Sequence, residues 1–149
     1  MDPLLVPDDI KYVQTNEVMF YDTDCGGVVH NLAYLRMIEE CRTKLGEKIG
    51  LSLRHMIDSQ QFPVVVRHEI DYVKPGKLGD SIITTGWLSQ IEKVKMWFNF
   101  EMRRAEDGLL LLKAHQLLAL VQMPEGKPMR IPAEQREYWS KLLELASNS

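Results

Sequence analysis

Val94, Met96, Phe98, Phe100 and Met102 alternate with Lys95, Trp97, Asn99, Glu101 and Arg103, the cleanest period-two pattern in the chain. A strand with one apolar side must lie on a core, so this segment commits the chain to a sheet. Asp107-Gly108 is a strong hairpin signal. Beyond it, residues 110–121 form a largely apolar strand, expected to be buried on much of both faces. Before it, residues 81–91 read as a strand rich in Ile, Thr and Trp. Residues 64–73 place Val64, Val66, His68, Ile70 and Tyr72 on one side, and Lys74-Pro75-Gly76 stops them. Four consecutive strands with short connections imply antiparallel pairing.

One helix precedes these strands. Tyr34, Ile38, Cys41, Leu45 and Ile49 recur at three- and four-residue spacing, which predicts a helix over residues 31–49 with Asn31 as its N-cap. Glu40 and Lys44 stand at i,i+4 in the favourable order. Residues 11–21 alternate imperfectly around Val13, Val18 and Phe20 and read as a first strand. Ile131-Pro132 opens a final helix with Pro132 near its first position and a stripe of Gln135, Tyr138, Trp139, Leu142, Leu143 and Ala146. The order is therefore strand, helix, four strands, helix: an α+β chain. A curved antiparallel sheet wrapped around the helix is one economical arrangement, although the order alone permits other layouts. An exposed sheet edge must be covered or paired, which makes edge-to-edge dimerisation reasonable.

The 149 residues suit one domain, 1–149, and 45% hydrophobic content suits a globular core without disulfide or metal. A formal net charge of −3 argues against a general nucleic-acid binder. Cys25 and Cys41 allow one disulfide at most, match no zinc spacing, and read more simply as reduced thiols. No apolar run approaches the ~20 residues of a membrane span, and residues 1–9 lack a basic leader, so the expected location is cytoplasmic.

The chemistry concentrates in residues 18–31, which run from an apolar strand through an acidic turn into the helix start. That order brings a carboxylate near a helix N-terminus, whose unpaired N–H groups can polarise a carbonyl. Asp22 and Asp24, two apart, would point the same way in an extended segment and could bind a hard cation, but no further carboxylate is near to complete the site. The plain alternative is that both bond the amides of their own turn.

Tyr21-Asp22-Thr23-Asp24-Cys25-Gly26-Gly27-Val28-Val29, then Tyr34-Leu35, and Glu39 followed by Arg42, resemble the signature of hotdog-fold acyl-CoA thioesterases of the 4-hydroxybenzoyl-CoA thioesterase/YbgC type. Asp71-Tyr72-Val73-Lys74-Pro75 and Gly79-Asp80 resemble a second shared segment, and the element order fits from about residue 11 to 146. The resemblance implies a hotdog fold: a curved antiparallel sheet of about five strands around one long helix, plus a C-terminal helix. It implies hydrolysis of an acyl-CoA thioester without a cofactor, by a homodimer or homotetramer whose sites form across a dimer seam. Asp24 matches the catalytic aspartate, as nucleophile or as base for water, and the backbone N–H of Asn31 matches the oxyanion donor. A carboxylate at a helix N-terminus is stabilised as the anion, which leans towards direct attack. The chain departs from the YbgC pattern in having His30 then Asn31 where relatives carry tyrosine then histidine.

Gly27, His30, Tyr34 and Glu39 are the further pocket candidates. His30 packing at the helix start and Glu39–Arg42 pairing on the helix surface are the plainer readings. Lys74, Lys77, Arg103 and Arg104 are candidates for CoA phosphate contacts, each also readable as a solvated charge. His68 faces away from Glu69 and Asp71, and His55 and His115 read as structural. Trp87, Trp97, Phe98 and Met96 read as core and subunit interface, and Cys25 as a small packing residue. Two rival functions remain: a non-catalytic acyl-thioester-binding subunit of the same fold, and a hotdog dehydratase or hydratase. Gln61-Phe62-Pro63 resembles a dehydratase motif, but with glutamine in place of its histidine.

Overall fold

The computed structural model describes residues 10–147. Strands β1 (Lys11–Glu17), β2 (Gln61–Tyr72), β3 (Ser81–Ile91), β4 (Lys95–Arg104) and β5 (Leu110–Gln122) form one antiparallel sheet in the order β1-β3-β4-β5-β2. A two-residue strand, β6 (Lys127–Pro128), adds to β5. Helix α1 (Asn31–Lys48) lies on the concave face, and a short helix α2 (Leu53–Ser59) and the terminal helix α3 (Ala133–Ser147) complete the fold.

The helical stripe and the period-two strands meet as their spacing requires. Met37, Ile38, Cys41 and Leu45 of α1 pack with Ile82, Leu88, Met96, Phe98, Phe100, Met102, Leu112 and Leu118 in one cluster. Burial raises the Cys41 thiol to about 12, so it stays protonated in the core. At the far end of α1, the buried Trp139 indole of α3 donates to the Ile49 carbonyl at 2.8 Å, which satisfies an orphan acceptor and docks α3. Helix α3 starts at Ala133, and Pro132 stands just outside it, its carbonyl accepting from the Arg136 N–H.

Packing is tightest where β3 passes under α1. A Cβ at Gly86 would lie 2.7 Å from the Phe100 ring and 3.0 Å from the Cys41 sulfur. Gly86→Ala is expected to cost ~1–3 kcal/mol through overpacking, read as a lower urea midpoint with unchanged slope. An unaltered midpoint would show that the ring has room to yield.

Several details depart from the sequence expectations. Strand β2 begins at Gln61 rather than Val64, and helix α2 has no counterpart in the sequence reading. Seven residues are too few for a helical stripe to emerge, though Ser52 does cap it by accepting from the His55 N–H. A β-bulge at Val66 shifts the register from Val65↔Leu118 to Arg67↔Leu117. Val64 therefore shares the outer face with Arg67, Glu69 and Asp71, opposite to His68, Ile70 and Tyr72. Glu40 pairs with Arg36 at 2.7 Å, not with Lys44. Trp87 and Trp97 lie on the outer face, where Trp97 stacks on His115, while Met96 and Phe98 are core.

Candidate active site at the start of helix α1

The acidic turn divides its two aspartates between different environments. Residues 20–22 make a 3-10 turn that buries Asp22 to 2% exposure. Its carboxylate accepts from the Met19 N–H at 2.9 Å and from the Arg36 guanidinium at 2.6 Å. Its carbonyl accepts from the His30 N–H at 2.9 Å. Asp22 thus ties the turn to the first turns of α1. Asp24 is exposed, and its carboxylate has no hydrogen-bond partner among the described residues. Its backbone is well held: Asp24 N–H donates to the Val28 carbonyl, and its own carbonyl accepts from Gly26 and Gly27. Gly27 sits at φ +71, a left-handed conformation that glycine adopts without strain. The expected common direction of Asp22 and Asp24 fails because the 3-10 turn breaks the extended segment, and no metal-binding group of side chains occurs among the described residues.

A bridge between Thr23 and Val29 folds the turn back onto the helix entry. His30, not Asn31, is the N-cap. Its Nδ1 accepts from the Ala33 N–H at 3.2 Å, and its Nε2 donates to the Tyr21 carbonyl at 3.3 Å. Those two bonds select the neutral tautomer and leave the ring no free nitrogen. Asn31 is the first helical residue, and its side-chain oxygen accepts from the Tyr72 hydroxyl at the end of β2. The N–H groups of Asn31 and Leu32 have no acceptor among the described residues. Two unpaired donors at the positive end of an 18-residue helix form a ready anion site.

Asn31 and Tyr34 line a cleft of about 250 Å³ together with Val29, Tyr72, Lys74 and Pro75. The buried Tyr34 hydroxyl accepts from the Gly76 N–H at 2.9 Å, and burial pushes its pKa up. Of the cation candidates, Lys74 lines this cleft, and Lys77 sits nearby, bridged to Val28. Arg103 is engaged by Gly108 and Glu101, and Arg104 by Asp107 and Asp80, so both serve the β4–β5 hairpin. Tyr72 carries no chemical signal in the sequence beyond its place in a shared segment, yet it closes this cleft.

Glu39 is not in the cleft. It lies eight residues along α1, ~12 Å from Asn31, paired to Arg42 at 2.6 Å. Arg42 donates to the Gln116 side-chain oxygen at 2.8 Å, and the Gln116 amide reaches His68 Nδ1 at 2.6 Å. Burial, and then the charge of Arg42, lower the His68 pKa below the ordinary 6.5. The unfolded chain therefore takes up a proton at His68 before the fold does, and stability falls as pH drops through ~6.5 towards the folded value. Denaturation midpoints measured from pH 7.5 to 5.5 should fall more steeply in the wild type than in His68→Gln. Parallel profiles would remove His68 from the account.

The model of the Thioesterase-like superfamily matches residues 18–138. The "Acyl-CoA thioesterase YbgC" of Haemophilus influenzae is 31% identical over 118 residues, covering 78% of this chain and 85% of the relative. The "1,4-dihydroxy-2-naphthoyl-CoA hydrolase" of Synechocystis is 26% identical over 122 residues, covering 81% and 88%. The solved "DHNA-CoA Thioesterase from Staphylococcus aureus" has the same fold, with a TM-score of 0.84 at 20% identity over 93% of this chain and 94% of that one. The chain belongs to the thioesterase-like superfamily, as a hotdog-fold member of the YbgC type.

Proposed function

We propose that this thioester hydrolase acts on an acyl-CoA, releasing the free acid and CoA, with Asp24 as nucleophile or base and the Asn31 N–H as oxyanion donor. The observation that supports the reading is a carboxylate without a partner and helix N–H groups without acceptors, seven residues apart in one folded-back turn; Asp24 stands opposite Val28 and is not among the residues lining the cleft at Asn31. In the nucleophilic route the Asp24 carboxylate adds to the thioester carbon, and the CoA thiolate leaves. Water then cleaves the resulting mixed anhydride and restores the carboxylate. In the base route Asp24 takes a proton from the attacking water. Either route builds negative charge on the carbonyl oxygen, where a preorganised donor is typically worth ~2.7–4 kcal/mol. His30 acts through the backbone, holding the helix entry. Lys74 and Lys77, which form no ion pair among the described residues, suit the phosphates of CoA. No cofactor or metal enters this scheme.

Strand β2 is a sheet edge, and Val64, Val65 and Val66 on it are exposed. Two copies pairing these edges give a homodimer, the smallest assembly that covers them; a homotetramer would add contacts elsewhere. Thiol release from a panel of aliphatic and aromatic acyl-CoAs tests the activity. Release from at least one ester is the expected result. Binding without release from any ester would turn the reading to a non-catalytic thioester-binding subunit.

A further inference from the structure

Resting on the thioesterase reading above, we propose that the side-chain amide of Asn31, aimed by the Tyr72 hydroxyl, is a second donor to the thioester carbonyl oxygen. It works beside the backbone N–H of the same residue. Asn31 stands where the YbgC pattern has histidine, so the chemistry at this position is this chain's own. A carboxamide does not titrate, and it carries two N–H donors at one end and a carbonyl acceptor at the other.

Which end faces the cleft is decided by Tyr72. Its hydroxyl, at the last residue of β2, donates to Asn31 Oδ1. The amide group is planar, so an oxygen held by Tyr72 turns Nδ2 to the other side. Nδ2 donates to no acceptor among the described residues. The backbone N–H of Asn31 is free as well, because the His30 cap accepts from Ala33 and not from Asn31. Both nitrogens belong to one residue, close enough together to grip a single oxygen atom.

The surroundings suit an electron-rich oxygen. No Asp or Glu lines the cleft, and its charged member is Lys74. The Tyr34 hydroxyl already accepts from the Gly76 N–H. Its ring packs against Tyr72, with centroids 6.0 Å apart and planes tilted by 57°, which limits where the Tyr72 ring can go. Asp24 stands outside the cleft, but its turn adjoins it, since Val29 lines the cleft and is bridged to Thr23. A thioester seated there turns its oxygen to Asn31 and its carbon to the turn that bears Asp24. As the carbon is attacked, negative charge grows on that oxygen, and bonds from both Asn31 donors strengthen with it. Tyr72 acts through the amide and is a positioning residue.

The test follows thiol release, from an acyl-CoA that the wild type cleaves, in Asn31→Ala, Asn31→Asp, Tyr72→Phe and the double variant Tyr72→Phe/Asn31→Ala. Asn31→Asp decides the matter, because it keeps the shape and the oxygen that accepts from Tyr72 but exchanges the donor for an anion. Asn31 is exposed, and an acidic residue in the first turn favours a helix, so this variant folds. In Asn31→Ala, kcat should fall at least ~10-fold with KM within ~3-fold, and in Asn31→Asp at least as far. Water reaches this open cleft and replaces part of a lost donor, which keeps the effect below the ~10²–10³ of an enclosed site. Tyr72→Phe should lower kcat by less, and the double variant should be no slower than Asn31→Ala alone. Wild-type kcat in Asn31→Asp would show that Asn31 serves only to accept from Tyr72, and would overturn the inference. An effect confined to KM, or losses from Tyr72→Phe and Asn31→Ala that add in full, would overturn it too. All of these outcomes leave thiol release by the wild type intact. Failure of the wild type to cleave any acyl-CoA would instead remove the thioesterase reading on which the proposal stands.

Discussion

Asp24→Asn loses at least ~10²-fold in kcat/KM for acyl-CoA hydrolysis, whichever of the two roles the carboxylate plays. The amide keeps the size and shape of the side chain but can neither add to the thioester carbon nor take a proton from water. What makes the experiment clean is the isolation of Asp24 from the fold. Its carboxylate has no partner among the described residues, and the turn is held by backbone bonds to Val28, Gly26 and Gly27 that the substitution leaves in place. The unfolding midpoint should therefore move by no more than an exposed substitution usually causes, ~0.5 kcal/mol. Loss of thiol release without loss of stability assigns Asp24 to the chemistry. Retained activity would sink that assignment, and with it both routes.

Asp22→Ala produces the opposite pattern, a large loss of stability. The buried carboxylate receives two hydrogen bonds, from the Met19 N–H and the Arg36 guanidinium. Charge-assisted bonds contribute ~1.5–3 kcal/mol each, but Arg36 is 44% exposed and recovers water and its Glu40 partner when Asp22 is removed. The Met19 N–H has less recourse. A net cost of about 2–4 kcal/mol follows, which for a domain of this size lowers Tm by roughly 4–16 °C. Activity should fall as well, because the turn carrying Asp24 loses its tie to the start of α1. Calorimetry with a thiol-release assay at low temperature separates the two effects. A Tm within a degree of wild type would mean that the Asp22–Arg36 contact contributes nothing to holding the turn.

These two aspartates illustrate how far the sequence carries. Two residues apart in one motif, they are indistinguishable by spacing, and only the resemblance singles out Asp24. The 3-10 turn separates them, sending one carboxylate inward to Arg36 and leaving the other in solvent. Similar limits apply to the helix cap. His30 and Asn31 are both capable acceptors in adjacent positions, and the choice falls to whichever backbone remains extended. That residue is His30, with φ −83 and ψ 160. Arg104 at the β4–β5 hairpin reads as a free charge in one dimension because its partner Asp80, 24 positions away, becomes a neighbour only after β3 and β4 pair.

Local periodicity by itself settled the order of the long elements, the buried stripe of α1 and the two faces of β4, since each depends on side-chain direction within one segment. It also located the acidic turn at a helix entry. Tertiary structure alone decided which face Val64 takes, because a bulge is defined by counting residues against the partner strand. It also brought Tyr72 to Asn31 across 41 positions and roofed a cavity with α2. Those features arise from contacts between distant segments, whose pairing no spacing along the chain encodes.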